Sequence, residues 1–206
     1  MLVKAERVSG RRLAGVRGLN SSEMGWQKMA AGLWDFANVE TLYDLPFVEL
    51  VNMAQRVHRN QFDPCEVGVS DLMPEQAWPA AVQIEGSRSR MVSRIVELAN
   101  LEPYPQAVPV ALAADCAAHG PPGRGVDPID FVRTVAIVRV TMPQTLIGVS
   151  LGPLAVEVQA LCFLAGANMI CLEDARSPLF RVPAIHPIES LSRLGLRVRG
   201  PSGLHH

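Results

Sequence analysis

The sequence predicts an α/β fold in which parallel strands are joined by covering helices, and three observations carry that prediction. Residues 142–171, MPQTLIGVSLGPLAVEVQALCFLAGANMIC, run through a short β-branched stretch, a helical repeat and a second apolar run, the order of a βαβ unit. Two other stretches place an amphipathic helix directly before or after a short strand-like run, so the alternation extends beyond this unit. The composition, 49% hydrophobic and 19% charged at a mean hydropathy of +0.17, belongs to a globular chain with a substantial core.

The elements follow in chain order. Residues 1–20 carry Lys4, Arg7, Arg11, Arg12 and Arg17 among small residues, without the apolar centre of a secretory signal, and read as a frayed basic tail loosely like an organelle transit peptide. Residues 21–39 hold Trp26, Trp34 and Phe36 between glycines and read as a weak helix or ordered arm. Residues 45–59 form an amphipathic helix: Asp44 is the expected cap, Pro46 suits the first turn, and Phe47, Leu50, Val51, Ala54 and Val57 make one apolar stripe. A helix over residues 87–99 with Met91, Val92, Ile95, Leu98 and Ala99 on its face is closed off by Pro103 and Pro105. Val108 to Ala114 is a strand, and the glycines and prolines of residues 117–126 a loop.

Asp127-Pro128-Ile129-Asp130 is a helix start with a cap, a proline at the first position and an acid in the first turn. The following FVRTVAIVRV is rich in β-branched residues and would suit a strand; the start signal argues for a helix. Thr145 to Ser150 is then a buried strand, and residues 154–165 a helix with Leu154, Val158, Leu161, Cys162 and Ala165 on one side, stopped by Gly166. A last short helix, residues 188–194, ends at Gly195.

Composition also excludes classes. A formal net charge of -1 lacks the clustered positive charge of a nucleic-acid binder. No apolar run approaches the ~18 residues of a membrane span. Four cysteines, Cys65, Cys116, Cys162 and Cys171, contain no C-x-x-C pair, and mostly reduced thiols in the cytoplasm are expected. Cys65, Cys116 and Cys171 could meet His119 or His58 at a metal, but no spacing requires it, and Cys162 on an apolar helix face reads as a small buried hydrophobe. His58, near a helix end between Arg56 and Arg59, reads as a solvated or capping side chain ahead of a ligand or base.

Several of these strings resemble one family. MPQT, Met142 to Thr145, followed by QALCFLAGAN, Gln159 to Asn168, is similar to the M-P-x-S/T and Q-A-L/M-C-F-x-A-G-A-N of biotin synthases. DLPFVELVNMAQRVHRNQFDPCEVGVSDL resembles their leading helix, with its V-H-R, then F-D-P, then the V-x-x-S-x-L strand. SRSRMVSRIVELANLEPYPQAVPV resembles their L-A-N-L and V-P-I segment; DPIDFVRT resembles D-x-x-D-F-I-R-T, which also favours the helix there, and Arg193-Leu194-Gly195-Leu196 resembles the terminal K-L-G-L. The resemblance spans residues 45–72 and 87–196. It implies a partial (β/α) TIM-type barrel of about four parallel strands, since 206 residues fall short of the ~250 of a complete barrel. The implied division is a basic tail and helical arm over 1–39 and the partial barrel over 40–206, with later βα units in 80–196.

The family is a radical-SAM enzyme that inserts sulfur into dethiobiotin, and the resemblance also says what is missing. After Leu72 the family continues into C-x3-C-x2-C, whose thiolates hold a [4Fe-4S] cluster that cleaves S-adenosylmethionine; this chain reads MPEQAWPAAVQIEGS, without the triplet. The family's G-x-I-x-G-x-x-E, near the adenosyl group, falls on AAVQIEG with Ala80 and Gln83 in place of glycines and Glu85 displaced by one. Ala111 replaces the asparagine of V-P-I-N that holds the ureido group of dethiobiotin. In SLGP, Ser150 to Pro153, proline replaces the arginine that ligates a [2Fe-2S] cluster. The resemblance therefore implies a link to biotin biosynthesis with no catalytic, cofactor-binding or metal residues of its own, as an accessory or remnant. A radical-SAM activity completed by a partner chain is the other reading. The expected partners are a second copy of this chain or a complete biotin synthase, with neither nucleic acid nor membrane, in the cytoplasm.

Overall fold

In the computed structural model the described residues are 33–70, 81–84, 87–112, 127–150, 155–171 and 191–199. Five helices and six strands lie within them: α1 (Phe36–Tyr43), α2 (Phe47–Gln61), β1 (Glu66–Ser70), β2 (Val82–Ile84), α3 (Arg88–Ala99), β3 (Ala107–Leu112), α4 (Pro128–Thr141), β4 (Leu146–Ser150), α5 (Val156–Leu164), β5 (Met169–Cys171) and β6 (Arg197–Arg199). The strands form one sheet in the order β2-β3-β4-β5-β1-β6, with every neighbouring pair parallel. This is the expected α/β architecture, compatible with a partial β/α barrel, with six strands rather than about four.

The order itself is informative. The chain leaves β1 deep in one half of the sheet, next to β5, and re-enters at β2 on the opposite edge. From β2 to β5 each strand lies beside the one before it, as in successive βαβ units, while β1 stands beyond β5 and β6 pairs with its other edge.

Two of the five helix starts carry a side-chain cap, α1 through Asp35 and α4 through Asp127. At α4 the Asp127 carboxylate accepts from the Ile129 N–H at 2.8 Å and Pro128 occupies the first turn, and the ambiguous FVRTVAIVRV is helical. Ahead of α2, by contrast, Pro46 stands at the cap position in an extended conformation without a side-chain bond, so Asp44, two residues earlier, does not cap this helix. Asp44 instead terminates α1 and pairs with Arg88 at 2.7 Å. The arm of residues 33–43 is anchored by Asn100, whose Oδ1 accepts from the Trp34 N–H at 2.9 Å while its Nδ2 donates to the Trp34 carbonyl at 2.8 Å.

One layer of side chains holds sheet and helices together. Val67, Val82, Ile84, Val108, Val110, Ile147, Val149 and Ile170 form the sheet's side of the core. Facing them are Leu50 and Ala54 of α2, Val92, Ile95 and Leu98 of α3, and most of α4. Helix α4 packs against α1, α2, α3 and α5 as well as β4, and so reads apolar on every side rather than along one stripe. Helix α5 begins at Val156, and Gly166, at φ +100°, turns the chain out of it into β5. Residues 191–193 are helical and stop at Gly195, at φ +74°, as expected, but the sequence reading did not foresee β6 beyond. Residues 1–32, the strand end at 113–114, the 117–126 loop, residues 151–154 and residues 188–190 lie outside the described residues.

Candidate functional site: the C-terminal row of the sheet

Parallel α/β sheets bind ligands outside the carboxyl ends of their strands, and the register defines what stands there. Gln83 pairs with Ala111, Ser150 pairs with Cys171, and Cys171 pairs with Ser70. Because Val110 pairs with Val149, Ala111 and Ser150 take adjacent places, and one row runs Gln83, Ala111, Ser150, Cys171, Ser70 across β2, β3, β4, β5 and β1. Alternation separates this row from Val82, Val110, Val149 and Ile170, which face the helices. Three of the positions singled out in the sequence, Gln83, Ala111 and Ser150, are thus neighbours in the fold.

The next row toward the amino ends is Pro109, Gly148, Met169 and Gly68. A Cβ on Gly148 would lie 2.6 Å from Cys171 Sγ and 2.8 Å from Met169 Cε, so both side chains lean over the bare backbone of β4. Four of the five residues in the upper row, Gln83, Ser150, Cys171 and Ser70, are of polar type, and Ala111 is not. Ala111 offers neither donor nor acceptor, while Gln83 is exposed and offers both.

The described cysteines do not fit an iron–sulfur cluster. Cys65 is exposed at the start of β1 and Cys171 is level with Ser70 at its end, a separation of ~17 Å at ~3.3 Å per residue. Cys162 is buried in α5, where burial pushes its thiol up to about 12, far from the thiolate a cluster requires. Among the described residues no three histidines, cysteines or acids are grouped to hold a metal. Cys116, His119, Ala80, Glu85 and Gly152-Pro153 lie outside the described residues.

Two buried side chains differ from what the sequence suggests. His58 is neither solvated nor a cap: it is 5% exposed, its ring lies 5.7 Å from that of Phe62, and its Nε2 has no hydrogen-bond partner. The helix turns it inward beside Val57 and Ala54, and burial, then Arg139 and Arg59, bring its pKa down to about 4. Arg139 was not singled out at all, although it is the second of two arginines inside the apolar FVRTVAIVRV. It is wholly buried, donates from Nε and Nη2 to the Gly166 carbonyl and from Nη1 to the carbonyls of Pro143 and Thr145, and lies over the Phe62 ring. Its role is to tie the ends of α4 and α5 together.

The sequence is similar to those of known proteins. Residues 103–194 match the Biotin and Thiamin Synthesis associated domain. Over the full chain it is 32% identical to a biotin synthase of Ralstonia pickettii, covering 57% of that protein, and similarly to one of Ralstonia nicotianae. Over 55% of the chain it is 41% identical to a biotin synthase of Polaromonas naphthalenivorans, covering 34% of it. The chain spans about half the length of the curated relatives it matches. Its matched domain, its whole-length similarity and its parallel βα order together place it: this chain belongs to the biotin synthase family.

Proposed function

We propose that this chain serves biotin biosynthesis as a non-catalytic, accessory member of its family. The observation that carries the reading is the row at the strand ends, where Gln83, Ala111 and Ser150 stand together and Ala111 presents no polar group to a substrate. The scattered placement of Cys65, Cys162 and Cys171 supports it from the cofactor side, because the thiolates of a cluster must converge. We infer further that β2, whose outer edge meets no strand among the described residues, docks a complete biotin synthase or a second copy of this chain. Its place of work is the cytoplasm; among the described residues no helix is long and apolar enough to cross a membrane.

The test is a sulfur-insertion assay on dethiobiotin under anaerobic conditions, with this chain alone and with a complete biotin synthase. No turnover by the chain alone, with co-elution of the two proteins, is the expected result. Turnover by the chain alone would overturn it. Turnover only in a mixture with a catalytically disabled synthase would favour the second reading, an active site completed between two chains.

A further inference from the structure

The sheet ends on one side in β6, a strand that is held only lightly. It is three residues long, and its register on β1 sets Arg197, Val198 and Arg199 beside Glu66, Val67 and Gly68. The Arg197 N–H donates to the Cys65 carbonyl at 2.7 Å. Arg197 pairs with Asp63 at 3.0 Å and Arg199 with Glu66 at 3.9 Å, but the two arginine side chains are 70% and 69% exposed. Exposed pairs of this kind are worth little and are screened by salt. The apolar hold among the described residues comes from Val198 and Leu196, both only partly buried.

The side of β1 that receives this strand is specific. Asp63 and Glu66 set two carboxylates along it, and Asp63 is oriented by the Cys65 N–H, which donates to its Oδ1 at 2.8 Å. Such an edge selects a parallel strand with basic residues at alternate positions, and Arg197-Val198-Arg199 has that pattern. The turn that delivers β6 is built separately. The Gly195 N–H donates to the Ser192 carbonyl and the Leu196 N–H to the Leu191 carbonyl, both at 3.0 Å, with Gly195 at φ +74°. Leu191 is buried, so the chain is anchored before the turn and lightly held after it, which makes the turn a hinge.

We propose that this edge of β1 is a strand-docking site whose partner is a second copy of this chain, each copy lending its β6 to the β1 of the other. The exchanged strand remakes the same pairs, Arg197 with Asp63 and Arg199 with Glu66, so exchange alters only the turn at Gly195 and the freedom of the two molecules. The site lies at the opposite edge of the sheet from β2 and uses none of the strand-end row, so it stands apart from the accessory reading.

The experiment uses two charge variants of the full chain, Asp63→Arg and Arg197→Asp, examined by sedimentation and light scattering. Both positions are exposed, so neither change disturbs the core. Each variant alone sets like charges together across β1 and β6 and is expected to stay monomeric. Mixed in equal amounts they are expected to form a heterodimer, because the introduced arginine of one meets the introduced aspartate of the other while native Asp63 meets native Arg197. The parent is expected to dimerise as its concentration rises. Gly195→Ala is expected to raise that association constant about fivefold, since the added methyl meets nothing within 4 Å and only strains the turn. A mixture of the charge variants that stays monomeric, a parent that is monomeric at every concentration, or a parent dimer that survives in Arg197→Asp alone would each overturn the proposal.

Discussion

Arg139 and Gly166 are locked to one another: the guanidinium donates from Nε at 3.0 Å and from Nη2 at 2.8 Å to the Gly166 carbonyl, and the side chain occupies the space a Cβ on Gly166 would need. That Cβ would lie 2.7 Å from Arg139 Cγ, and Gly166 sits at φ +100°, a conformation L residues avoid. Gly166→Ala is therefore expected to cost on the order of 2–3 kcal/mol, strain and displaced packing together. A denaturant midpoint equal to that of the unmodified chain would refute the relationship.

The same pair makes a prediction about charge. Arg139 has no bonded carboxylate, so Arg139→Met leaves no orphaned ion, but it does leave the carbonyls of Gly166, Pro143 and Thr145 without these donors. A loss on the order of 3 kcal/mol is expected from unsatisfied buried acceptors. Arg139→Lys, which keeps the charge but not the fork, is expected to recover less than half of it. Equal stability of the lysine variant and the parent would show that charge, not the planar fork, matters.

His58 gives the fold a dependence on pH. Its pKa falls from 6.5 to about 4 on folding, chiefly through burial and then through Arg139 and Arg59, against a smaller opposite pull from Asp63. The unfolded chain then binds the proton first, so this contribution to stability is complete above about pH 6.5 and is lost as pH falls toward about 4. Urea midpoints measured between pH 6.5 and 5, where carboxylates remain mostly ionised, are expected to decline in the parent and stay flat in His58→Gln. Parallel declines in both would assign the effect to other groups.

The arm's contact with α3 separates a surface ion pair from packing. Arg88 pairs with Asp44 at 2.7 Å, donates to the Glu40 carbonyl and lies over the Tyr43 ring, while Asp44 stays largely exposed. Asp44→Asn is expected to cost less than ~1 kcal/mol and to matter less in high salt. Arg88→Ala is expected to cost more, because the stacked stem and the carbonyl bond go with it. Thermal unfolding of the two variants at low and high salt decides the matter.

How much was legible in the sequence depended on whether the signal was local. The start of α4 was read from Asp127 and Pro128, against the strand-like run behind them, because caps act within a few residues of themselves. The stops at Gly166 and Gly195 were likewise local, and both glycines have positive φ. Asp44 was misplaced because a cap and an ion-pair partner look alike until Pro46 is seen to hold the cap position extended. His58 and Arg139 were out of reach for a different reason: their burial depends on α5, Phe62 and the 143–145 turn meeting in space. Strand β6, three residues of alternating exposure, exists only by its parallel pairing with β1. At the strand ends the substitutions at Gln83 and Ala111 were visible, but their adjacency comes from register alone.

The central claim, that a biotin synthase family fold persists here without its cluster chemistry, is tested most directly by anaerobic reconstitution with iron and sulfide, followed by desalting, iron analysis and the visible spectrum. The account predicts no stoichiometric iron and no cluster absorption in the isolated chain. Stoichiometric iron held by the isolated chain, with the spectrum of a thiolate-bound cluster, would contradict it and return the chain to the catalytic members of its family.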